Sequence, residues 1–370
     1  MKYQAIVIVL FFIVLLGNKY LSQGRPQPGK SPVFTSPAPL KENRDALVGS
    51  IAFGSCGSQE VAQPVLTLAA RQNPGLFIFL GDNIYGDTYE MDTLRAKYRR
   101  LSAKPEFQQL KNSTRLIATW DDHDFGWNDS GRHYPFKVES KDIFLDFWKV
   151  PKEDVRRGRE GIYTSYYFEG DGKVLQAIVL DTRTFRDNLL PYEEQEVDKE
   201  RFHYHLDYWP HQSADSTLLG EAQWAWLEKQ FAVPADLRII ASSTQFGITY
   251  NGYEAWANFP HEQERMVELI KKTKANGVVF ISGDVRYSKI SKLRKEGCYP
   301  LYDITSSGIT STWRFATPND NRIAGPVMEN NYGVIDVDWD KEDPELTMKV
   351  TDVEGKLRFE HKVALSELQF

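Results

Sequence analysis

The chain has 370 residues, with 45 Lys and Arg against 51 Asp and Glu and a net charge of −6. Hydrophobic residues make up 41% and charged residues 26%, a globular balance long enough for one large or two modest domains. The charge is spread along the chain without a basic stripe, which argues against a nucleic-acid partner.

The amino terminus opens on Met1–Lys2, an apolar run from Ala5 to Leu16, and Gly17–Asn18–Lys19. This is a basic start and an apolar segment of signal-peptide length, too short to span a bilayer. Ser22–Gln23–Gly24 offers small residues for cleavage, so residues 1–24 read as a signal peptide. An uncleaved signal anchor is the alternative. A lipid anchor would need a cysteine where Asn18 stands. The expectation is export to a periplasmic or extracellular space, with no stable membrane partner beyond the signal. Residues 25–45, rich in Pro, Gly, Ser and Lys, read as a disordered linker. Residues 46–370 read as one folded domain.

Short apolar runs then end repeatedly in polar, metal-binding groups. Ser50–Ile51–Ala52–Phe53 leads to Gly54–Ser55–Cys56, and Leu76 to Leu80 leads to Gly81–Asp82–Asn83–Ile84–Tyr85. Leu116 to Trp120 leads to Asp121–Asp122–His123–Asp124. Leu175 to Leu180 leads to Asp181–Thr182–Arg183, and Arg238 to Ser243 forms another run. Val278 to Ile281 leads to Ser282–Gly283–Asp284–Val285–Arg286–Tyr287. Such runs predict buried strands. Thr93–Leu110, Lys141–Val150, Glu221–Phe231 and Glu262–Lys274 read as helices, the last two from apolar residues at three- and four-residue spacing. Arg186 to Leu219, acidic and aromatic with His203, His205 and His211, is long for a connection and reads as a lid or substrate-lining insertion. Glu345 to Leu365 alternates around Glu354–Gly355 like a terminal β-hairpin. Together these give an α/β (α+β) domain.

In open α/β sheets, ligands sit beyond the carboxyl ends of the strands. Hard ligands delivered there by four strands fit metal-assisted hydrolysis of a phosphoester. Two cations about 4 Å apart would activate water and neutralise phosphate. Asp82 is the candidate bridging ligand. Cys56 and Tyr85 suit a softer or ferric metal, and Asp122 and Asp284 suit calcium, magnesium or manganese. His123 is the candidate proton donor to the leaving alkoxide. Cys298 reads as a free thiol.

Taken in order, these motifs resemble those of the alkaline phosphatase D (PhoD-like) metallophosphatases. The flanks Asp181–Thr182–Arg183, Leu219–Gly220–Glu221–Ala222–Gln223–Trp224 and Thr305–Ser306–Ser307–Gly308 agree, and the resemblance runs from about Val48 to Trp339. It implies a four-layer αββα metallophosphatase (calcineurin-like) sandwich, export, and hydrolysis of small-molecule phosphomonoesters or phosphodiesters with a divalent metal or iron. It carries Cys56, Asp82 and Tyr85 over to a first metal, and Asp82, Asp122 and Asp284 to a second. His123 carries over as the acid, and Arg183 as a structural or phosphate-facing group.

Arg286 departs from the pattern, which has Gly-Asp-Val-His-Tyr with the histidine on the first metal. A guanidinium stays protonated and has no lone pair to give. Three readings follow. Arg286 replaces that metal and clamps phosphate directly, or it swings away, or the chain is a degenerate relative that binds an anionic ligand. In the last case Arg286 and Lys289 would line an anion pocket.

Overall fold

The computed structural model describes residues 44–193 and 202–370. The signal-peptide segment and nearly all of the linker lie outside the described residues. The folded part begins slightly before residue 46, because Arg44–Ala46 pairs in parallel with Tyr167–Glu169.

Two sheets face each other. The six-stranded sheet runs, from one edge, Leu357–Ala364, Glu345–Asp352, Asn331–Asp338, Ser50–Gly54, Leu76–Leu80 and Arg115–Thr119. Its last three strands are parallel, and the first three form an antiparallel meander that includes the predicted terminal hairpin. The eight-stranded sheet runs Arg44–Ala46, Thr164–Gly170, Lys173–Val179, Leu237–Ser242, Val278–Ser282, Leu301–Thr305, Ser288–Leu293 and Arg322–Val327. Its centre, from Lys173–Val179 to Leu301–Thr305, is parallel.

Side-chain alternation explains the layering. Along Leu76–Leu80, Leu76, Ile78 and Leu80 join the core between the sheets, while Phe77 and Phe79 join a second core under the outer helices. Ser50–Gly54 divides likewise, with Ile51 and Phe53 inward and Ala52 outward. A strand buried on both faces must be apolar throughout, which is why these runs show no polar alternation. Helices Pro64–Gln72, Met91–Ser102, Pro105–Ser113 and Lys137–Phe147 supply the second core through residues such as Val65, Tyr98, Phe107 and Phe144. Gly220–Phe231 and Pro260–Thr273 supply Trp224, Leu227 and Met266 to the first. The architecture is therefore the αββα sandwich.

The predicted helix Thr93–Leu110 is two helices. Pro105 has no amide proton, and it holds Lys104 at φ −69°, ψ 129°, outside the helical region. No helix among the described residues is long and apolar enough to cross a membrane.

Candidate metal centre

Four strand ends converge. Cys56 lies just past Ser50–Gly54, Asp82 past Leu76–Leu80 and Asp122 past Arg115–Thr119, all in the six-stranded sheet. Asp284 and Arg286 follow Val278–Ser282 of the other sheet. The Cys56 thiol joins the two: its Sγ lies 3.3 Å from Asp82 Oδ2, 3.4 Å from the Asp284 carbonyl and 3.1 Å from Ser307 Oγ. The backbone there is strained, with Cys56, Asp82, Asp284 and Arg286 all at φ between 50° and 73°. Non-glycine residues rarely adopt that region, and such residues cluster at functional sites. Gly81 permits the approach of two loops, since a Cβ there would fall 2.4 Å from Asp121 Cβ.

Asp82, Asp122 and His123 place one donor atom each within 4.8 Å of one another, all buried. Asp82 Oδ1 and Asp122 Oδ1 are buried without a hydrogen-bond partner. Burial, and then the Asp122 charge, hold the Asp82 carboxyl well above the usual range. Burial and the Asp121 charge do the same to Asp284. Burial alone would raise Asp122, but Arg183 and His123 hold it down at about 2. Crowded buried carboxylates with unmet oxygens are what a hard cation relieves. The Asp82–Asp122 set fits such an ion, and Asp284 stands beside it without joining the tight three-atom group.

The residues around these ligands fix their geometry. Asp124 Oδ1 accepts from Asp121 N at 2.6 Å and Asp82 N at 3.2 Å, while Oδ2 accepts from Asn83 Nδ2 at 2.5 Å. Asp124 thereby ties the two ligand loops together. Arg183 has no exposed surface. Its Nε donates to Asp121 Oδ1 at 2.6 Å, and its NH1 to both Glu254 oxygens at 2.8 Å. Of the two roles implied for Arg183, this geometry favours the structural one: its donors are turned to buried carboxylates, so it positions Asp121 and compensates the cluster from behind.

The Cys56–Tyr85 side differs. The Tyr85 hydroxyl is buried beside Ser311, and its ring lies 4.5 Å from the His123 ring. Burial pushes both the Cys56 thiol and the Tyr85 phenol well up, and neighbouring negative charge adds to it. Arg286 occupies this side. Its NH2 lies 3.1 Å from His123 Nε2 and its guanidinium carbon 5.8 Å from the Tyr85 ring centre. Among the described residues it forms no ion pair with Asp82 or Asp284. The backbone turn at φ 58° and the bond from Arg286 N to Ser307 Oγ, 2.7 Å, direct it toward the imidazole. A ferric or other metal held by Cys56 and Tyr85 does not fit beside this guanidinium.

His123 is held from both edges. Its Nδ1 lies 2.7 Å from Asp87 Oδ1, opposite the Arg286 contact. Burial opposes its charge, yet Asp82, Asp87 and Asp122 together push its pKa up to about 10. Lys289 does not join Arg286 in an anion pocket. It is fully buried, with Nζ 3.0 Å from Ser291 Oγ and 3.3 Å from Thr305 Oγ1. In the predicted lid, His211 stacks on Phe259 at 4.6 Å and His205 meets Asp207 at 3.1 Å. Asp87 and Glu254 were absent from the sequence reading. Neither follows an apolar run, the signal used to find ligands.

The profile of the PhoD-like phosphatase family matches residues 52–360. Alkaline phosphatase D of Bacillus subtilis (strain 168) is 23% identical over 301 residues, 70% of this chain and 48% of that protein. The chain thus spans about half the length of that relative. A solved structure described as that of PhoD superposes with a TM-score of 0.65 at 17% identity, covering 87% of this chain and 69% of the other. GAP50, the anchor in the inner membrane complex of Plasmodium, superposes with a TM-score of 0.55 at 11% identity, covering 86% and 89%. At those identities the two structures speak to the fold alone. The profile match covers most of the chain, and the chain belongs to the PhoD-like phosphatase family.

Proposed function

We propose that this member of the PhoD-like phosphatase family is an exported phosphoesterase that uses one hard divalent cation, with Arg286 in the place of a second metal. The observation that carries the reading is the buried donor group of Asp82, Asp122 and His123, two of whose carboxylate oxygens lack partners. Calcium, magnesium or manganese held by Asp82 and Asp122, with Asp284 beside them, would neutralise phosphate charge and make bound water more acidic. Export rests on the amino-terminal sequence pattern.

The chain's own groups supply the rest. Asp87 occupies His123 Nδ1, so the proton that moves is the one at Nε2. In the unliganded geometry Arg286 NH2 lies 3.1 Å from Nε2, a contact that opposes the imidazolium the surrounding carboxylates favour. A phosphate between the two gives each an acceptor: the guanidinium keeps a charge-assisted hydrogen bond, and a protonated Nε2 faces the leaving oxygen. Arg183 holds Asp121 and spares the cluster part of its repulsion.

The Arg286–His123 contact also favours a second reading, a non-catalytic relative that binds a phosphorylated ligand. Metal analysis of the purified protein, paired with phosphomonoester and phosphodiester assays before and after chelation, separates them. About one equivalent of divalent cation and chelator-sensitive turnover are expected. Bound metal without turnover on any ester would leave the binding reading, and two tightly held metals would remove Arg286 from the metal's place.

A further inference from the structure

Two stacked aromatic pairs flank the His123–Arg286 contact, each hung from a loop of the site. On the Nδ1 edge of the imidazole, Tyr89 stacks on Trp127 with centroids 5.5 Å apart and planes at 9°. Their loops are joined through Thr88 N to Gly126 O, 3.2 Å, and Asn128 N to Asp87 Oδ1, 3.2 Å. Asp87 is the residue that holds His123 Nδ1. On the Nε2 edge, the Arg286 guanidinium carbon lies 5.9 Å from the Trp313 ring centre. Trp313 stacks on Phe315 at 5.4 Å and 8°, and Tyr253 packs against Trp313 at 5.3 Å. That loop is also fixed, by Trp313 N to Arg286 O at 2.9 Å and Thr310 N to Cys56 O at 3.0 Å.

Three of these rings are open to water, and Trp313 and Tyr253 are half-buried. Tyr89 is 51% exposed, Trp127 43% and Phe315 44%. A single exposed aromatic is ordinary. Parallel pairs fixed by backbone bonds on both edges of one imidazole are ready-made stacking platforms, because a flat π-face gains dispersion and excludes water against them. The two-sided arrangement narrows the choice. A phosphodiester has two substituents and can send one to each platform, whereas a monoester has only one to place.

The geometry points to a phosphodiester whose two substituents carry flat ring systems, one seated on Trp313–Phe315 and the other on Tyr89–Trp127. This rests on the reading that phosphate lies between His123 and Arg286. A nucleobase and a simple aryl group share the required face.

The test compares a bis-aryl phosphodiester, a dinucleotide and a dialkyl phosphodiester on wild type, Trp313→Ala, Trp313→Phe and Trp127→Ala. Calorimetry with a non-hydrolysable diaryl phosphonate measures binding apart from turnover. Trp313→Ala should lower the aryl-to-alkyl ratio of kcat/KM roughly 5- to 10-fold, mainly through KM, and weaken phosphonate binding by a similar factor. Trp313→Phe should restore most of both, and Trp127→Ala should act in the same direction. A preference for the dinucleotide over the bis-aryl ester assigns the platform to nucleobases, and the reverse assigns it to aryl groups. An unchanged aryl-to-alkyl ratio together with unchanged phosphonate binding overturns the inference. If wild type hydrolyses none of the esters, the phosphoesterase reading fails, and the phosphonate titration alone decides the platforms.

Discussion

The two halves of the site balance charge in opposite ways. Around Asp82, Asp122 and Asp284 the negative groups outnumber their partners, and the compensating cation, Arg183, is buried behind them with its donors on Asp121 and Glu254. Around Cys56 and Tyr85 the donors are held as neutral thiol and phenol by burial. There the cation, Arg286, stands in front, beside the imidazole. The first half is short of positive charge at its open face, and the second already has it. On the proposed reading, a metal ion would complete one half and compete with a side chain in the other.

The largest effect should come from removing the cation behind the first half. Arg183→Met leaves Asp121 buried without its cation while Glu254 keeps Arg186, and breaking such a buried pair costs about 3–5 kcal/mol. Urea unfolding should show that loss. A loss under about 1 kcal/mol would mean that the cluster does not depend on Arg183. Asp82→Asn tests the open face of the same half. It should cut metal retention and phosphoesterase activity by at least about 100-fold, because loss of a direct ligand exceeds the cost of losing a supporting one. Stability should hold or rise, since the substitution removes a carboxylate held well above its usual range by burial and Asp122. Full activity in that variant would end the metal-site reading.

The second half yields to Arg286→His. Replacing the guanidinium with an imidazole removes the competing charge and returns a lone pair to the Cys56–Tyr85 donors. Metal content should rise from about one equivalent towards two, and affinity for the added ion by at least about tenfold. Wild type that already holds two ions, or a variant with unchanged stoichiometry, would show the two halves to be alike.

Much of this contrast was legible in the sequence. The strands that carry Cys56, Asp82, Asp122 and Asp284 announce themselves as apolar runs because both faces of each are buried. Strand ends in a parallel sheet share an edge, so the convergence of Cys56, Asp82 and Asp122 follows from the order of the motifs, whereas Asp284 arrives from the facing sheet, which the motif order did not reveal. The identity of residue 286 exposed the misfit, but the direction of its side chain did not follow, since that depends on the turn at φ 58° and on Ser307. Glu254 and Asp87 were invisible because they sit in loops and act through partners remote in sequence, Arg183 and His123. Strands such as Asn331–Asp338 and Thr164–Gly170 were missed as well. Their mixed polar and apolar residues become strands through pairing with Ser50–Gly54 and Lys173–Val179.

The sharpest form of the comparison sets the two buried cations against each other. Arg183 meets carboxylates, whereas Lys289 Nζ meets only the hydroxyls of Ser291 and Thr305. Burial therefore lowers the Lys289 pKa to about 8, with Asp303 pulling weakly the other way. A base held below its unfolded value of about 10.4 destabilises the fold wherever it must carry its proton. The penalty is full below about pH 8 and is relieved as pH climbs from there towards the unfolded value, because the folded state sheds its proton first. Lys289→Met removes this dependence, so the stability of wild type should gain on that of the variant by about 1 kcal/mol between pH 7 and 9. Urea midpoints of the two proteins across that range measure it. A difference that stays flat with pH would mean that Lys289 is as well compensated as Arg183, and the two sides of the fold would then treat buried charge alike.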